Sequence, residues 1–442
     1  MNILIVGSGA REHAMAKAFA RSATPSKLFC FGTNHNPGIS ALTTQYATGD
    51  LCACETIVQK ALEWNIQLAV IGPEAPLEAG LVDCLEQQNI LCAGPRKALA
   101  RIETSKSFAR KLLTKARIKA SPRYQHFTSM QGVEAFLNSL GEDRYVIKAD
   151  GLMGGKGVKV AGDHLLSIAE ALQYAQELQA QNIPFLIEEK LIGQEFSLIC
   201  FTDGKSIIPM PVVQDHKRAY EQDKGPNTGG MGSYSDANHR LPFLTAQDIR
   251  SAQNINEAVL HSLEKECGEP FKGFLYGSFI ATANGIYLIE YNARLGDPEA
   301  LNLLSILDAD FVAICQAIAQ GQLSNISIHF KPYATVCKYA VPNGYPDEPL
   351  KNIPLDISQV NSRELLFLGA VDEQDGILLA TGSRAIAVVG IAPNIEDAEA
   401  IAEAEIGRIK GEVFHRSDIG TAALIHQRIQ MMQQLRVEEV LL

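Results

Sequence analysis

Residues 285–299 read GIYLIEYNARLGDPE, and the fold turns on how this stretch is read. Ile286, Tyr287, Leu288, Ile289 and Tyr291 have the apolar, β-branched and aromatic makeup of a strand. Asn284-Gly285 just before them is a short hairpin signal, which makes residues 274–282 the partner strand. Side chains alternate along a strand, so Glu290 and Asn292 face one side, roughly 7 Å apart. A carboxylate beside an amide carbonyl suits a hard cation, Mg²⁺ or Mn²⁺, which takes oxygens from one or two protein groups plus phosphates. Arg294, Asp297 and Glu299 crowd in next. The plain alternative is a solvated strand end with incidental charge, and the surrounding chain has to decide.

Upstream, residues 145–158, YVIKADGLMGGKGV, read as a strand, a glycine-rich loop and a second strand. Gly151, Gly154, Gly155 and Gly157 let the backbone approach a phosphate, while Lys148 and Lys156 supply charge. It is not a Walker A loop: Gly157 follows Lys156 where Ser or Thr is required, and Asp150 occupies the first glycine position. Residues 185–197 read as strand, short linker and strand. Residues 214–218, QDHKR, lead into a polar glycine loop at 225–232. Asp215 followed by two cations suggests a charge-lined pocket, and His216 a structural hydrogen-bonder. Residues 102–117 read as one basic helix whose Lys106, Arg110 and Lys111 form a solvated face.

The N-terminus combines a strand at 2–6, the turn Gly7-Ser8-Gly9-Ala10 and a helix to Ala20, the opening of a doubly wound α/β domain. A second strand at 68–71 ends in GPEAP, and ligands in such sheets bind at strand carboxyl ends, so Gly9, Arg11, Glu12 and Glu74 share a crevice. A dinucleotide fingerprint needs a third glycine where Glu12 stands. The turn still offers N–H groups to a phosphate, with Arg11 adding charge. Residues 331–442 read as a smaller α+β domain with strands at 334–339 and 386–391, a helix at 396–409 and an amphipathic terminal helix that docks by packing.

The 442 residues are too many for one core and divide into about three domains. A 46% hydrophobic, 20% charged composition is that of a soluble globular protein. A net charge of -11 argues against a nucleic-acid partner held by bulk charge, so any phosphate site is local. The nine cysteines include one C-x-C, Cys52 and Cys54, without the second pair a zinc site needs, and read as reduced thiols. The start of the chain lacks a basic n-region, and no apolar run approaches the about 18 residues of a membrane span, so a cytoplasmic protein with no membrane partner is expected.

Taken in order, GSGAREHA, GPEAPL, SKSFAR, KADGLMGGKGV, EEKLIGQEFS, QDHKR, GPNTGGMGSYS and EYNARLGDPE resemble the blocks of the glycinamide ribonucleotide synthetase family of the ATP-grasp superfamily, from Gly7 to about Glu299. The later GYP and HRSDIG are similar too. Ala10 stands where glycine is common, Thr104 precedes Ser105-Lys106 where glycine often does, Met153 and Gly154 replace small alanines, and Leu295 replaces phenylalanine; none removes a chemical group. Residues 32–40 and the tail after Gly420 follow the family poorly.

The resemblance implies an α/β and α+β multidomain protein: an N-terminal substrate domain at 1–102, an ATP-grasp lid subdomain at 103–190, a large catalytic subdomain at 191–327 and a C-terminal domain at 328–442. It also implies an ATP-dependent ligase of purine biosynthesis joining glycine to 5-phosphoribosylamine. By the same similarity Lys106, Lys148, Gly154, Gly155, Lys156, Gly157, Glu188, Glu189, Leu191 and Glu195 bind ATP, with Glu188 and the 189–191 backbone at adenine and Glu195 at ribose. Glu290 and Asn292 hold the metal. Arg294 stabilises the transferring phosphoryl group, and Asp215 and Asp297 take the glycine ammonium. Gly9, Arg11, Glu12 and Glu74 fall to phosphoribosylamine, and Lys217, Gly229 and Gly230 to the substrates generally. The expected enzyme is a monomer. The rival readings are a sister carboxylate-amine ligase of purine synthesis and a nucleotide-binding regulator without turnover.

Overall fold

The computed structural model describes residues 1–153 and 157–440. Its N-terminal part is a five-stranded parallel sheet, in the order Gln45–Thr48, Lys27–Gly32, Asn2–Val6, Leu68–Ile71, Leu91–Ala93. Ile3 to Val6 and Leu68 to Ile71 are buried throughout, as a parallel sheet covered by helices on both faces requires. The strand order reverses between these two, so the loops leaving them, at Gly7 and Gly72, flank one crevice. The strands Lys27–Gly32 and Gln45–Thr48 complete the sheet on one side, the second at its edge.

A second body has its own antiparallel sheet, ordered Tyr124–Phe127, Phe185–Glu189, Tyr145–Ala149, Val158–Val160, and the helices Val133–Leu140 and Ile168–Ala180. Phe127, Leu137, Tyr145, Ile147 and Phe185 belong to a core separate from the main one. A sheet with a private core is built to move as a unit. The main core instead runs without interruption from the N-terminal sheet into a four-stranded antiparallel sheet, Ile207–Pro209, Gln194–Thr202, Gly273–Thr282 and Gly285–Asn292.

The hairpin expected at Asn284-Gly285 is present, with Thr282 paired to Gly285, so the reversal falls one residue earlier, at Ala283-Asn284. Gly285 opens the strand at φ +112°, a conformation costly for any residue with a Cβ. Along the ladder Ser278 pairs with Glu290 but Phe279 with Leu288, so Ile289 is an inserted bulge residue. The carbonyls around the bulge find another partner: Arg110 Nη1 donates to Leu288 O at 2.9 Å and Nη2 to Ile289 O at 2.8 Å.

Residues 102–117 do not form one helix. Lys97–Thr104 and Lys106–Lys115 are separated at Ser105, which sits at φ −132°, ψ 106° and caps the second helix by accepting from the Phe108 N–H at 3.2 Å. The break turns the start of the second helix toward the glycine loop, where Asp150 Oδ1 accepts from the Ser107 N–H at 3.2 Å.

The C-terminal part is joined to the core through main chain. Ala334–Pro342 and Ile386–Ala392 continue an antiparallel sheet begun by Gln214–Asp215 and Gly232–Ser235. The terminal helix is Ala422–Val440.

Candidate active site

The bulged strand delivers Glu290 and Asn292 to the junction of all these parts. The Glu290 carboxylate makes no hydrogen bond or ion pair to any described residue, while Asn292 Oδ1 accepts one N–H from Arg294 Nη2 at 3.2 Å. Burial pushes the Glu290 carboxyl up, but Lys217, then Lys148, Lys106 and Arg294, outweigh it and hold it below the ordinary carboxylate range. An ionised, unpartnered carboxylate beside an amide oxygen is a donor set a hard divalent cation fits. Among the described residues no group of three or more His, Cys, Asp or Glu could hold a metal ion.

The cations around Glu290 are themselves fixed. Lys148 Nζ lies 2.7 Å from Glu188 Oε2 and 3.4 Å from Ile289 O. Lys106 Nζ donates to Gly151 O at 2.9 Å, which ties the first turn of its helix to the glycine loop. Burial lowers the Lys106 ammonium, with Glu290 opposing and Lys148 adding to the shift. Gly157 closes the loop's far side through the Ala149 N–H, which donates to Gly157 O at 2.8 Å. Gly154, Gly155 and Lys156 lie outside the described residues.

Glu188, expected against adenine, has both oxygens engaged by cations. Arg110 Nε reaches Oε1 at 2.6 Å and Nη2 reaches Oε2 at 2.9 Å, with Lys148 on Oε2 as well. Burial works against its charge, yet Arg110 and Lys148 pull it down to about 2. Glu188 thus forms ion pairs with both Arg110 and Lys148. Arg110 corrects the reading of a solvated basic face, since it is only 3% exposed. Its sequence signal is its position four residues after Lys106, on the same helix face. Glu189 and Leu191 flank the linker into the next strand, and Glu195 is exposed.

Asp215 is nearly buried, with Lys217 Nζ 3.9 Å away and also 3.6 Å from Glu195. Burial pushes Asp215 up to about 7, Lys217 opposing and Glu299 and Glu195 adding to it. Glu299 is buried beside it and accepts from Tyr276 OH at 2.6 Å. His216 is not the hydrogen-bonder its type suggests: both ring nitrogens are buried without a partner among the described residues, and burial lowers it to about 3.

On the N-terminal side, Arg294 Nη2 lies 3.0 Å from Glu103 and Nε 3.5 Å from Glu74. Glu103, unnoticed in the sequence, also accepts from the Ala293 N–H at 2.7 Å. The expectation that the Gly9 turn offers its N–H to a phosphate is corrected: Gly9 N–H donates to Glu12 Oε2 at 2.6 Å, so the helix start is capped by its own carboxylate. Arg11 Nε holds Glu12 Oε1 at 2.6 Å, and its Nη1 donates to Leu295 O at 3.2 Å. A Cβ on Gly72 would lie 1.8 Å from Glu12 Oε1, so that glycine makes room for the carboxylate. Gly9, Arg11, Glu12, Glu74 and Arg294 thus share one crevice.

Asp297 lies on the turn after the strand. Its Oδ1 accepts from Tyr339 OH at 2.5 Å and lies 3.1 Å from Arg384 Nη1, both groups from the C-terminal part. Arg384 Nη1 also donates to Gly229 O at 2.9 Å and Gly230 O at 3.1 Å. Neither residue has a local sequence signal, because each acts across some 40 to 160 positions of chain, about the separations of these contacts.

Residues 1–103, 104–300 and 335–422 match, in order, the N domain, the ATP-grasp (A) domain and the C domain of phosphoribosylglycinamide synthetase. A phosphoribosylamine–glycine ligase of Methanocella arvoryzae is 44% identical over 436 residues, covering 99% of this chain and 100% of its own. One from Methanococcus maripaludis is 48% identical over 445 residues, covering 98% of this chain and 100% of its own. The crystal structure of the phosphoribosylamine–glycine ligase from Thermotoga maritima superimposes with a TM-score of 0.80 at 28% identity, covering 95% of this chain and all of that one. A biotin carboxylase domain of Hydrogenobacter thermophilus 2-oxoglutarate carboxylase, 15% identical with a TM-score of 0.68, shares the fold. Matches that run the length of both chains, domain after domain, make this chain a member of the phosphoribosylglycinamide synthetase family.

Proposed function

We propose that the chain is an ATP-dependent ligase that joins glycine to 5-phosphoribosylamine through a glycyl phosphate, giving glycinamide ribonucleotide, ADP and phosphate. The observation that carries the reading is the unpartnered Glu290 carboxylate beside Asn292, with four cations acting on it, one of which, Arg294, also lies 3.5 Å from Glu74. A carboxylate is a poor electrophile because oxide is a poor leaving group, so the glycine carboxylate first takes the γ-phosphoryl group. The amine then attacks the acyl carbon and phosphate leaves. Such transfer needs positioning and charge neutralisation more than covalent help from protein.

Within that scheme Lys106 and Lys148 neutralise the triphosphate, Glu188 and Arg110 orient Lys148, and Glu189, Leu191 and Glu195 meet the nucleoside. Gly154, Gly155, Lys156 and Gly157 are assigned to the ATP phosphates, where the water that would hydrolyse the acyl phosphate has to be excluded. Arg294, clamped by Glu74 and Glu103, faces the phosphoryl oxygens. Asp215, with Lys217 beside it, receives the glycine ammonium. Glu290 and Asn292 would hold Mg²⁺ or Mn²⁺, which would supply charge neutralisation for the phosphates.

The domain division 1–102, 103–190, 191–327 and 328–442, a monomeric state and a cytoplasmic site of action complete the proposal. No helix among the described residues is long and apolar enough to cross a membrane. Hydroxylamine added to protein, ATP, metal and glycine tests the intermediate. Glycine hydroxamate should accumulate with wild type and vanish in Glu290→Ala. Its absence with wild type, while ADP is still released, would sink the acyl phosphate.

A further inference from the structure

Asp297 is expected from the sequence at the glycine ammonium, yet its surroundings aim it elsewhere. Of its two carboxylate oxygens, Oδ1 is consumed by Tyr339 OH at 2.5 Å and Arg384 Nη1 at 3.1 Å. The other, Oδ2, faces the N-terminal turn: a Cβ built on Gly9 would lie 3.9 Å from it. Arg384 fixes this orientation at several points. Its Nη1 sits 2.9 Å from Gly229 O, 3.1 Å from Gly230 O and 2.9 Å from Asp297 O, besides Oδ1, so one nitrogen with two hydrogens ties loop and turn together. Its guanidinium lies over the Tyr339 ring, 4.8 Å from the centroid. A Cβ on Gly229 would stand 2.9 Å from Arg384 Cζ, and one on Gly230 2.7 Å from Pro298 Cδ, so the two glycines are needed for this approach.

We infer that Asp297, aimed by Arg384 and Tyr339 of the C-terminal part, presents Oδ2 to the amine of phosphoribosylamine rather than to glycine, and so sets the direction from which the nucleophile arrives. The inference rests on the ligase reading above and assigns Arg384 and Tyr339 as positioning residues, not catalytic ones. The amine keeps an N–H pointed at Oδ2 while its lone pair faces the acyl carbon.

The test is steady-state kinetics of full-length Arg384→Met, Arg384→Lys and Tyr339→Phe with phosphoribosylamine, glycine and ATP each varied in turn. Loss of a charge-assisted hydrogen bond should raise KM for phosphoribosylamine about tenfold or more in Arg384→Met. Arg384→Lys should recover part of the loss, and KM for glycine and ATP should stay within about twofold of wild type, within measurement scatter of a neutral contact. Tyr339→Phe, which removes one hydroxyl, should shift the same constant less and serves where Arg384→Met fails to fold. A rise in the glycine KM with the phosphoribosylamine KM unchanged, or no change in any constant, would overturn the inference. Wild-type protein that releases no ADP with all substrates present would instead overturn the ligase reading, and this inference with it.

Discussion

Asp215 is the group whose chemistry changes most within the physiological pH range. Burial raises its folded-state pKa from 3.8 to about 7, so the folded protein holds this proton more tightly than the unfolded chain does. The sign follows: stability contributed by this group declines as pH rises from about 4 toward 7, then levels off once the carboxylate is ionised in both states. A substrate ammonium needs the ionised form. KM for glycine should therefore fall as pH rises toward 7, by up to about tenfold per unit, and the dependence should disappear in Asp215→Asn. A flat glycine KM between pH 6 and 8, about the window set by that pKa, would remove Asp215 from the ammonium site. Glu188 shows the opposite sign. Arg110 and Lys148 depress it to about 2, so its contribution is full above its ordinary value of 4.5 and is lost as pH falls through about 2. Replacing it strands two buried cations, and Glu188→Ala should cost about 3–5 kcal/mol in urea unfolding and most of the ATP-dependent activity. A loss below about 1 kcal/mol would show that water reaches the pair.

The bulged strand Gly285–Asn292 was legible because its signal is local: an apolar, β-branched and aromatic run, a turn pair before it and two oxygens on one face. The break at Ser105 was readable as well, since Ser is a favoured N-cap, but the long basic run on either side masks it. Glu103, Tyr339 and Arg384 were not legible, and of Arg110 only its spacing from Lys106 was. Arg110 answers carbonyls exposed by a bulge 178 and 179 positions away, and no spacing rule reaches that far. The terminal helix Ala422–Val440 was read as a docking helix, and its contacts give that docking a target. Arg428 pairs with Asp223 at the tip of the hairpin Arg218–Tyr220 and Lys224–Asn227, and Arg436 Nη2 lies 2.7 Å from Asp248. Arg416 grips Asp223 from the other side at 3.0 Å. Met432 and Leu424 are buried, each worth roughly 1.5–3 kcal/mol. A chain ending at Thr421 should expose Lys217, Arg218 and Lys224 to trypsin at several times the wild-type rate, while cleavage in the lid stays unchanged. Equal hairpin cleavage in the two proteins would mean that Arg416 alone holds it.

The molecule has one main core, a separately packed core spanning Phe127 to Ile187 and a third in the C-terminal part. The lid brings Lys148, Glu188 and the glycine loop; the core brings Glu290, Asn292 and Arg294; the N-terminal sheet brings Arg11, Glu12 and Glu74; and the C-terminal part brings Arg384 and Tyr339. Arg218 Nη2 meets Asp163 Oδ2 at 2.5 Å, so the hairpin Arg218–Tyr220 and Lys224–Asn227 touches the separately packed body directly. Groups from all four parts thus converge around the strand end. The central claim is that one metal-competent strand end serves ATP, glycine and phosphoribosylamine together. It is tested most directly by ADP release from purified protein with Mg²⁺, ATP and glycine, with and without phosphoribosylamine generated in situ, in wild type and Glu290→Ala. Sustained release that requires both substrates and is lost in Glu290→Ala is the predicted result. Release that proceeds equally without glycine, or that survives in Glu290→Ala, would contradict the account.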